Sequence, residues 1–488
     1  MLYNHLTCLG NTNNLQIDFI LLTVPWTDSS IPLMAPAALK PIIEQEGLSC
    51  LAVDLNAEVF SYTKIAENKD RLIEFFFEGY TKSETASIEI DITFQNIAKR
   101  ILSFSPKYVG LSIFSYVCQH SAKWISYYLK KLDPTITILV GGAGCLNTFT
   151  GPSEFVDELK ELKLIDYHIR GDGEHSLQQF LKGNKTFHGI NSLTWQEMNN
   201  DEIRTLPIPD YDDYIFDFYK QKIIPLMGSR GCVRQCTFCD YIANWHKFHW
   251  RDAESIFSEM LYQNKKYHVN KFKFQDSLTN GSVSEFRKLV TLLARHNQNN
   301  PDNKFRWSGY YIFRDVNNSS ASDWELIYNS GAEVLMVGIE NLNQHIRYAI
   351  GKKFSNESII YHLEQAQQYN IKIIMLNIVG YVSETRADID YIKQWLEDNT
   401  RFKDNILIQW GGTLGIFPNT YLEKNKDSLG VTMIGQGPPL WINQHTGSTP
   451  AVRASWAKEL NEFSRSLGYS VADNIDNHYL LEMLMHHE

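Results

Sequence analysis

Three cysteines crowd into eight residues: Cys232, Cys236 and Cys239 in the run Gly228-Ser229-Arg230-Gly231-Cys232-Val233-Arg234-Gln235-Cys236-Thr237-Phe238-Cys239. Thiolates are the usual protein ligands of iron–sulfur clusters, and a [4Fe–4S] cubane has four irons to serve. Three cysteines leave one iron without a protein ligand. That open position is a place for substrate or cofactor, as the fourth position of catalytic zinc is. A closed zinc site is the other reading of such a group, and it wants four protein ligands. No fourth cysteine stands near, so zinc would have to recruit His246 or His249. The other four cysteines, Cys8, Cys50, Cys118 and Cys145, are scattered along the chain. Seven cysteines so distributed do not make a disulfide framework, and buried thiols acting as small apolar side chains account for those four.

The cysteine run follows directly on an apolar stretch, Ile223-Ile224-Pro225-Leu226-Met227, which opens a series of β/α steps. Further strands are expected at Lys271 to Gln275, Phe305 to Gly309, Glu333 to Ile339, Lys372 to Val379 and Ile406 to Trp410. Helices fill 252–267, 283–297, 321–330, 355–369 and 385–399. Six steps over residues 219–430 suit a partial (β/α)6 barrel, in which the loops after the strands form the active face. Residues 15–190 also alternate: short apolar strands at Ile17 to Val24, Ser49 to Leu55, Tyr108 to Phe114, Thr135 to Val140 and Ile165 to Ile169 are separated by helical stretches. That pattern predicts a doubly wound, Rossmann-like parallel sheet, making the whole chain α/β. Glu58 to Arg100 reads as a polar, aromatic-rich insertion. Residues 196–218, with Pro207 and Pro209, read as a linker, and 431–488 as a small C-terminal extension.

Composition narrows the function classes. Hydrophobic residues at 43% and charged residues at 21% describe a globular protein. A net charge of −10, with basic residues only in pairs such as Lys130-Lys131, Lys265-Lys266 and Lys352-Lys353, argues against a nucleic-acid surface. Those pairs read as solvated helix ends or single ligand contacts. The longest apolar run, Phe19 to Trp26, is too short to span a bilayer, and the first residues carry no secretory pattern. The expectation is a cytoplasmic protein with a small-molecule substrate and no membrane or nucleic-acid partner.

With the cysteine loop and the barrel-like series together, the chain resembles the radical S-adenosylmethionine (SAM) superfamily, whose shared motif has this spacing and an aromatic residue where Phe238 stands. The resemblance implies that Cys232, Cys236 and Cys239 hold a [4Fe–4S] cluster and that SAM chelates its open iron. It further implies reductive cleavage of SAM to a 5′-deoxyadenosyl radical, with electrons from a donor such as flavodoxin or ferredoxin. Strand ends that match the family would meet SAM: Gln275 and Asp276 after the second strand, Ser308 and Arg314 at the third, Glu340 in Gly338-Ile339-Glu340-Asn341, and Ile378 and Gly380 after the fifth. The usual Gly-Gly-Glu is absent, and Asn341 replaces a serine. Glu384 is expected to open the following helix. No general acid, base or nucleophile is singled out.

The first domain resembles the cobalamin (B12)-binding domain that precedes the barrel in many of these enzymes. The matching pieces are Gly110-Leu111-Ser112, Leu139-Val140-Gly141-Gly142 and Gly171-Asp172-Gly173-Glu174, so Ser112, Gly141, Gly142 and Gly171 are the expected corrin contacts. The motif Asp-x-His-x-x-Gly, which supplies a lower cobalt ligand, is missing after the first strand, where Pro25-Trp26-Thr27-Asp28-Ser29-Ser30 stands. The resemblance therefore implies cobalamin bound without a protein lower ligand, and a methyltransferase acting on an unactivated carbon or phosphorus centre with two SAM molecules per turnover. The other readings are radical SAM chemistry of another kind (rearrangement, cyclisation or oxidation), with or without cobalamin, and a zinc-bearing scaffold.

Overall fold

The computed structural model describes residues 16–27, 30–59, 84–145, 155–192, 195–316, 321–435 and 438–472. Cys8, Asp28, Ser29 and Gly437 therefore lie outside the described residues. The chain divides into two compact units, Met1–Pro225 and Leu226–Glu488.

In the first unit, strands β1 (Phe19–Thr23), β2 (Cys50–Asp54), β3 (Tyr108–Ser112), β4 (Thr137–Gly141) and β5 (Tyr167–Ile169) form one parallel sheet in the order β2-β1-β3-β4-β5. Residue alternation along β1 explains why it is buried on both faces. Phe19 and Leu21 join Ile43 of helix α1 (Met34–Gln45) and Leu177 and Phe180 of a later helix, Gly173–Leu181. Ile20 and Leu22 face the opposite way, into a core with the remaining helices. Those helices differ from expectation in one place. Part of the stretch read as an insertion is a helix, Glu84–Leu102, whose Ile90, Phe94, Ile97, Ala98 and Ile101 are buried against the sheet. Their spacing is helical, and this helix makes the crossover from β2 to β3. The strand order reverses between β1 and β3, and ligands of such sheets bind at that crevice, outside the carboxyl ends of the strands.

The stretch expected as a linker packs onto the first unit. Asp213 accepts from Lys40 Nζ at 2.6 Å and from the Ala52 amide at 2.9 Å, Tyr211 and Tyr214 are buried, and the Tyr219 hydroxyl donates to Asp54 at 2.7 Å.

In the second sheet, which begins at the division between the units, strands β6 (Ile224–Leu226), β7 (Lys271–Phe274), β8 (Arg306–Tyr311), β9 (Ala332–Glu340), β10 (Lys372–Val379), β11 (Ile406–Thr413) and β12 (Ser470–Val471) lie side by side in chain order. The first and last strands are not paired, so this is an open partial barrel rather than a closed one. The seventh strand was not expected. It comes from the C-terminal extension, which also supplies helix Pro450–Ser466; Trp410 of β11 donates its indole N–H to Ser464 of that helix at 2.9 Å. Pairing slips occur late in β9 and β10, between Gly338 and Glu340 and between Asn377 and Val379. Such bulges re-aim side chains, and both sit at the edge where the expected site residues stand.

Candidate functional site

The cysteine loop leaves β6 through Gly228, whose amide donates to the Asp276 carboxylate at 2.7 Å, and Ser229, whose hydroxyl donates to the same group at 2.9 Å. Asp276 thus ties the end of β6 to the end of β7. Burial pushes its carboxyl up to about 7. Residues Ser229–Arg230 pair with His249–Trp250, which folds the aromatic segment 245–250 back along the loop. Tyr241 stacks on Trp245 and Phe248 on Trp250, and Gly231 must be glycine: its φ is +77° and a Cβ would strike the Lys247 carbonyl.

Beyond Gly231 the three cysteines are held from the other side of the sheet edge. Thr237 N donates to the Ile350 carbonyl at 3.0 Å, and its hydroxyl meets Tyr381 Oη at 2.9 Å; Tyr381 in turn donates to the Ala349 carbonyl at 3.0 Å. The Leu422 amide donates to the Thr237 carbonyl at 3.1 Å. Cys236 is buried, and with Phe238, Cys239, Ile378, Tyr381, Leu422 and Trp441 it belongs to one apolar cluster. Burial raises all three thiols and pushes Cys236 up to about 12; Lys352 pulls Cys236 and Cys232 back toward the thiolate. Thiols in so apolar a place become thiolates when a metal takes the proton's position. Among the described residues no three His, Cys, Asp or Glu side chains converge on one point, as a single ion requires. A cubane asks something different, since each cysteine meets a different iron. The donor set fits a [4Fe–4S] cluster.

The expected SAM residues divide. Phe238 and Ile378 lie in the cysteine cluster, and Glu340 is buried next to it, in an ion pair with Lys352 at 3.0 Å. Gly380 lies where expected, but Arg453 of the C-terminal helix covers it, its side chain stacked at 3.6 Å on Trp441. Gln275 is exposed, while Ser308 is buried on β8. The Arg314 guanidinium donates to the carbonyls of Asn280 at 2.7 Å and Gly281 at 3.2 Å, and Asp276 is committed to Gly228 and Ser229. Both side chains are engaged in holding their own strand ends.

Sequence reasoning missed or misplaced others. Glu384 does not open the next helix; Thr385 caps it, with Asp388 completing the capping box. Glu384 is instead fully buried and accepts from Asn341 Nδ2 at 2.6 Å, Gly380 N at 2.5 Å and Tyr381 N at 3.2 Å. It clasps the turn after β10, and Asn341 is committed to it. Lys352, read as one of a solvated pair, is buried. Nothing in its local sequence marks it, because its partner Glu340 lies across a helix. Arg453 carried no local signal either.

At the other sheet, Ser112 and Gly141 end β3 and β4, adjacent in register beside the β1/β3 switch. Gly142 has φ +105° and a Cβ there would lie 2.5 Å from the Ile113 carbonyl, and one at Gly171 would strike Gln196. Those two glycines are explained by the protein's own backbone. Gly141 is different: a Cβ would make only ordinary contacts, 3.7 Å from the Ile169 carbonyl, so its missing side chain leaves the strand end open for a flat ligand. That room, with exposed Phe114 and Tyr116 following β3, fits a corrin. Pro25, Trp26 and Thr27, the described residues following β1, offer no histidine.

Comparison with known proteins agrees with this geometry. Residues 226–396 match the family described as the Radical SAM superfamily. An uncharacterized methyltransferase of Pyrococcus horikoshii is 25% identical over 389 residues, 76% of each chain. The anaerobic magnesium-protoporphyrin IX monomethyl ester cyclase of Synechocystis is 23% identical over 336 residues, 62% of this chain and 61% of its own. The radical S-adenosylmethionine methyltransferase TsrM from Kitasatospora setae, solved with cobalamin and a [4Fe–4S] cluster bound, shares the fold with a TM-score of 0.61 at 16% identity, over 90% of this chain and 84% of that one. No described helix is long and apolar enough to cross a membrane. The open parallel barrel with the cysteine loop is thus a radical SAM domain, and the flavodoxin-ordered sheet that precedes it has the fold of a cobalamin-binding-like domain.

Proposed function

We propose that the chain is a cobalamin-dependent methyltransferase acting on an unactivated carbon or phosphorus centre of a small molecule. The observation that carries this reading is the open end of β4 at Gly141, beside the β1/β3 switch, in the same chain as the cysteine loop. Cys232, Cys236 and Cys239 would hold the cluster, with Phe238, Ile378, Glu340 and the Gly380 turn around SAM, and Ser112 and Gly141 under the corrin. When bound, the cluster supplies the electron that cleaves SAM, and cobalamin supplies a methyl carrier able to surrender its methyl group to a substrate radical. The protein's own part is to bind, to orient and to keep water out. Burial of Cys236 and the apolar cluster around it serve the last of these. We place the enzyme in the cytoplasm, reduced by a donor of the ferredoxin or flavodoxin class.

The methyltransferase names among the relatives support this reading. The Synechocystis cyclase favours a second one, radical cyclisation or oxidation at the same cluster. Methyl-labelled SAM separates them. Anaerobic turnover should give labelled product, S-adenosylhomocysteine and 5′-deoxyadenosine together, and Cys236→Ala, which loses its iron, should give none of them. If 5′-deoxyadenosine forms with the true substrate and S-adenosylhomocysteine never accumulates, methylation is the wrong reaction class.

A further inference from the structure

Lys352 occupies a place that lysine rarely occupies. It follows helix Gln344–Ile350, which ends in a Schellman turn: Gly351, at φ +100°, donates to the Tyr348 carbonyl at 3.0 Å and Lys352 N to the Arg347 carbonyl at 3.0 Å. The turn throws the Lys352 side chain inward, where it is 8% exposed. Three local features make room for it. Gly338 has no side chain, and a Cβ there would lie 2.8 Å from Lys352 Nζ. Glu340 takes a left-handed φ of +64°, which a residue with a Cβ adopts only at a cost. The slipped pairing of β9 against β10 falls between these two residues. Together they set the Glu340 carboxylate 3.0 Å from the ammonium.

The same turn abuts the cysteine loop. Thr237 N donates to the Ile350 carbonyl at 3.0 Å, and a Cβ on Gly351 would lie 3.6 Å from Cys236 Cα. The ion pair therefore sits against the loop that carries Cys236. Lys352 pulls both Cys232 and Cys236 toward the thiolate, and at Cys236 its effect exceeds the opposing one of Glu340. Charges on the loop itself act as well: Arg234 on Cys232 and Asp240 on Cys239. A buried charge in a low-dielectric surrounding acts on its neighbours far more strongly than an exposed one.

We propose that Lys352 is a positioning residue for the cluster: its buried ammonium, fixed by Glu340, raises the electron affinity of the iron–sulfur centre held by Cys232, Cys236 and Cys239. The step it eases is a one-electron transfer from a ferredoxin- or flavodoxin-class donor. The donor loses one electron, the cluster becomes one unit more negative, and no proton moves. An added negative charge is stabilised by the nearby cation, so reduction becomes easier. This rests on the cluster reading above.

The test is an EPR-monitored redox titration of the anaerobically reconstituted full chain, without SAM, with iron content measured first. Lys352→Met removes the charge and keeps the length. Its cluster should lose electron affinity about tenfold, a downward shift of about 59 mV for one electron. Lys352→Arg should keep the wild-type potential, and Glu340→Gln, which frees the ammonium from its partner, should move the potential upward. An intact cluster with the wild-type potential in Lys352→Met overturns the proposal. So does loss of the cluster from the Met and Arg variants alike, which would show that shape rather than charge matters. A wild-type chain that takes up no iron refutes the cluster reading itself, a different result from either.

Discussion

Glu384→Gln sets two consequences of burying a carboxylate against each other. Burial pushes the Glu384 carboxyl from 4.5 up to about 7, while the hydrogen bonds from Asn341, Gly380 and Tyr381 pull the other way. A carboxyl raised above its unfolded value binds its proton more tightly in the folded chain. The resulting stability is fully present below pH 4.5 and is lost as the pH rises toward 7. Its size is about 3 kcal/mol, at about 1.4 kcal/mol per pH decade. Glutamine does not titrate. Between about pH 5.5 and 7.5 the wild type should therefore lose about 2 kcal/mol relative to the variant. Against this stands a cost that does not depend on pH. The glutamine oxygen can accept from the Gly380 and Tyr381 amides, but its NH2 then faces Asn341 Nδ2. Asn341 cannot turn over without losing the bond from Asn343 N to its Oδ1, at 2.9 Å. One lost acceptor in a buried site costs about 1–3 kcal/mol. The wild type should thus be the more stable protein at low pH, with the gap closing as the pH rises. Anaerobic urea denaturation across this range, followed by tryptophan fluorescence, measures it. Parallel profiles for the two proteins would refute the reasoning, because they would mean that the three donors keep Glu384 ionised throughout.

Gly141→Leu should abolish binding of added hydroxocobalamin, measured by equilibrium dialysis, with little change in the urea midpoint. Gly142→Ala should destabilise the chain by about 1–3 kcal/mol in the same urea assay even without the corrin, since it combines a left-handed φ with a Cβ 2.5 Å from the Ile113 carbonyl. Tyr219→Phe removes a 2.7 Å donor from Asp54, a buried carboxyl that burial already raises. It should destabilise the chain by about 1–3 kcal/mol in the same assay, and an unchanged midpoint would show that Asp54 does without that hydrogen bond.

The cysteine loop and most of the regular elements were legible from the sequence because both are local properties. Thiolate spacing is read over eight residues, and strand or helix periodicity over ten to fifteen; the strand expected at Lys372 to Val379 has those bounds in the structure. The helix Glu84–Leu102 carried the same kind of signal in Ile90, Phe94, Ile97 and Ile101, obscured by the polar residues between them. The two-residue strand Ser470–Val471 is too short to show any period, and only its pairing with Leu407 and Ile408 makes it a strand. The purposes of individual polar side chains were decided by tertiary structure alone. Asp276 and Arg314 stand at the expected strand ends, yet their partners, backbone groups and the Ser229 hydroxyl, are brought there by neighbouring strands and loops. Gly142 is glycine because of Ile113, and Lys352 is buried because a Schellman turn, a β-bulge and Gly338 coincide around it. A buried charge or a left-handed residue is tolerated only where contacts distant in sequence compensate for it, and such contacts exist only once the chain has folded.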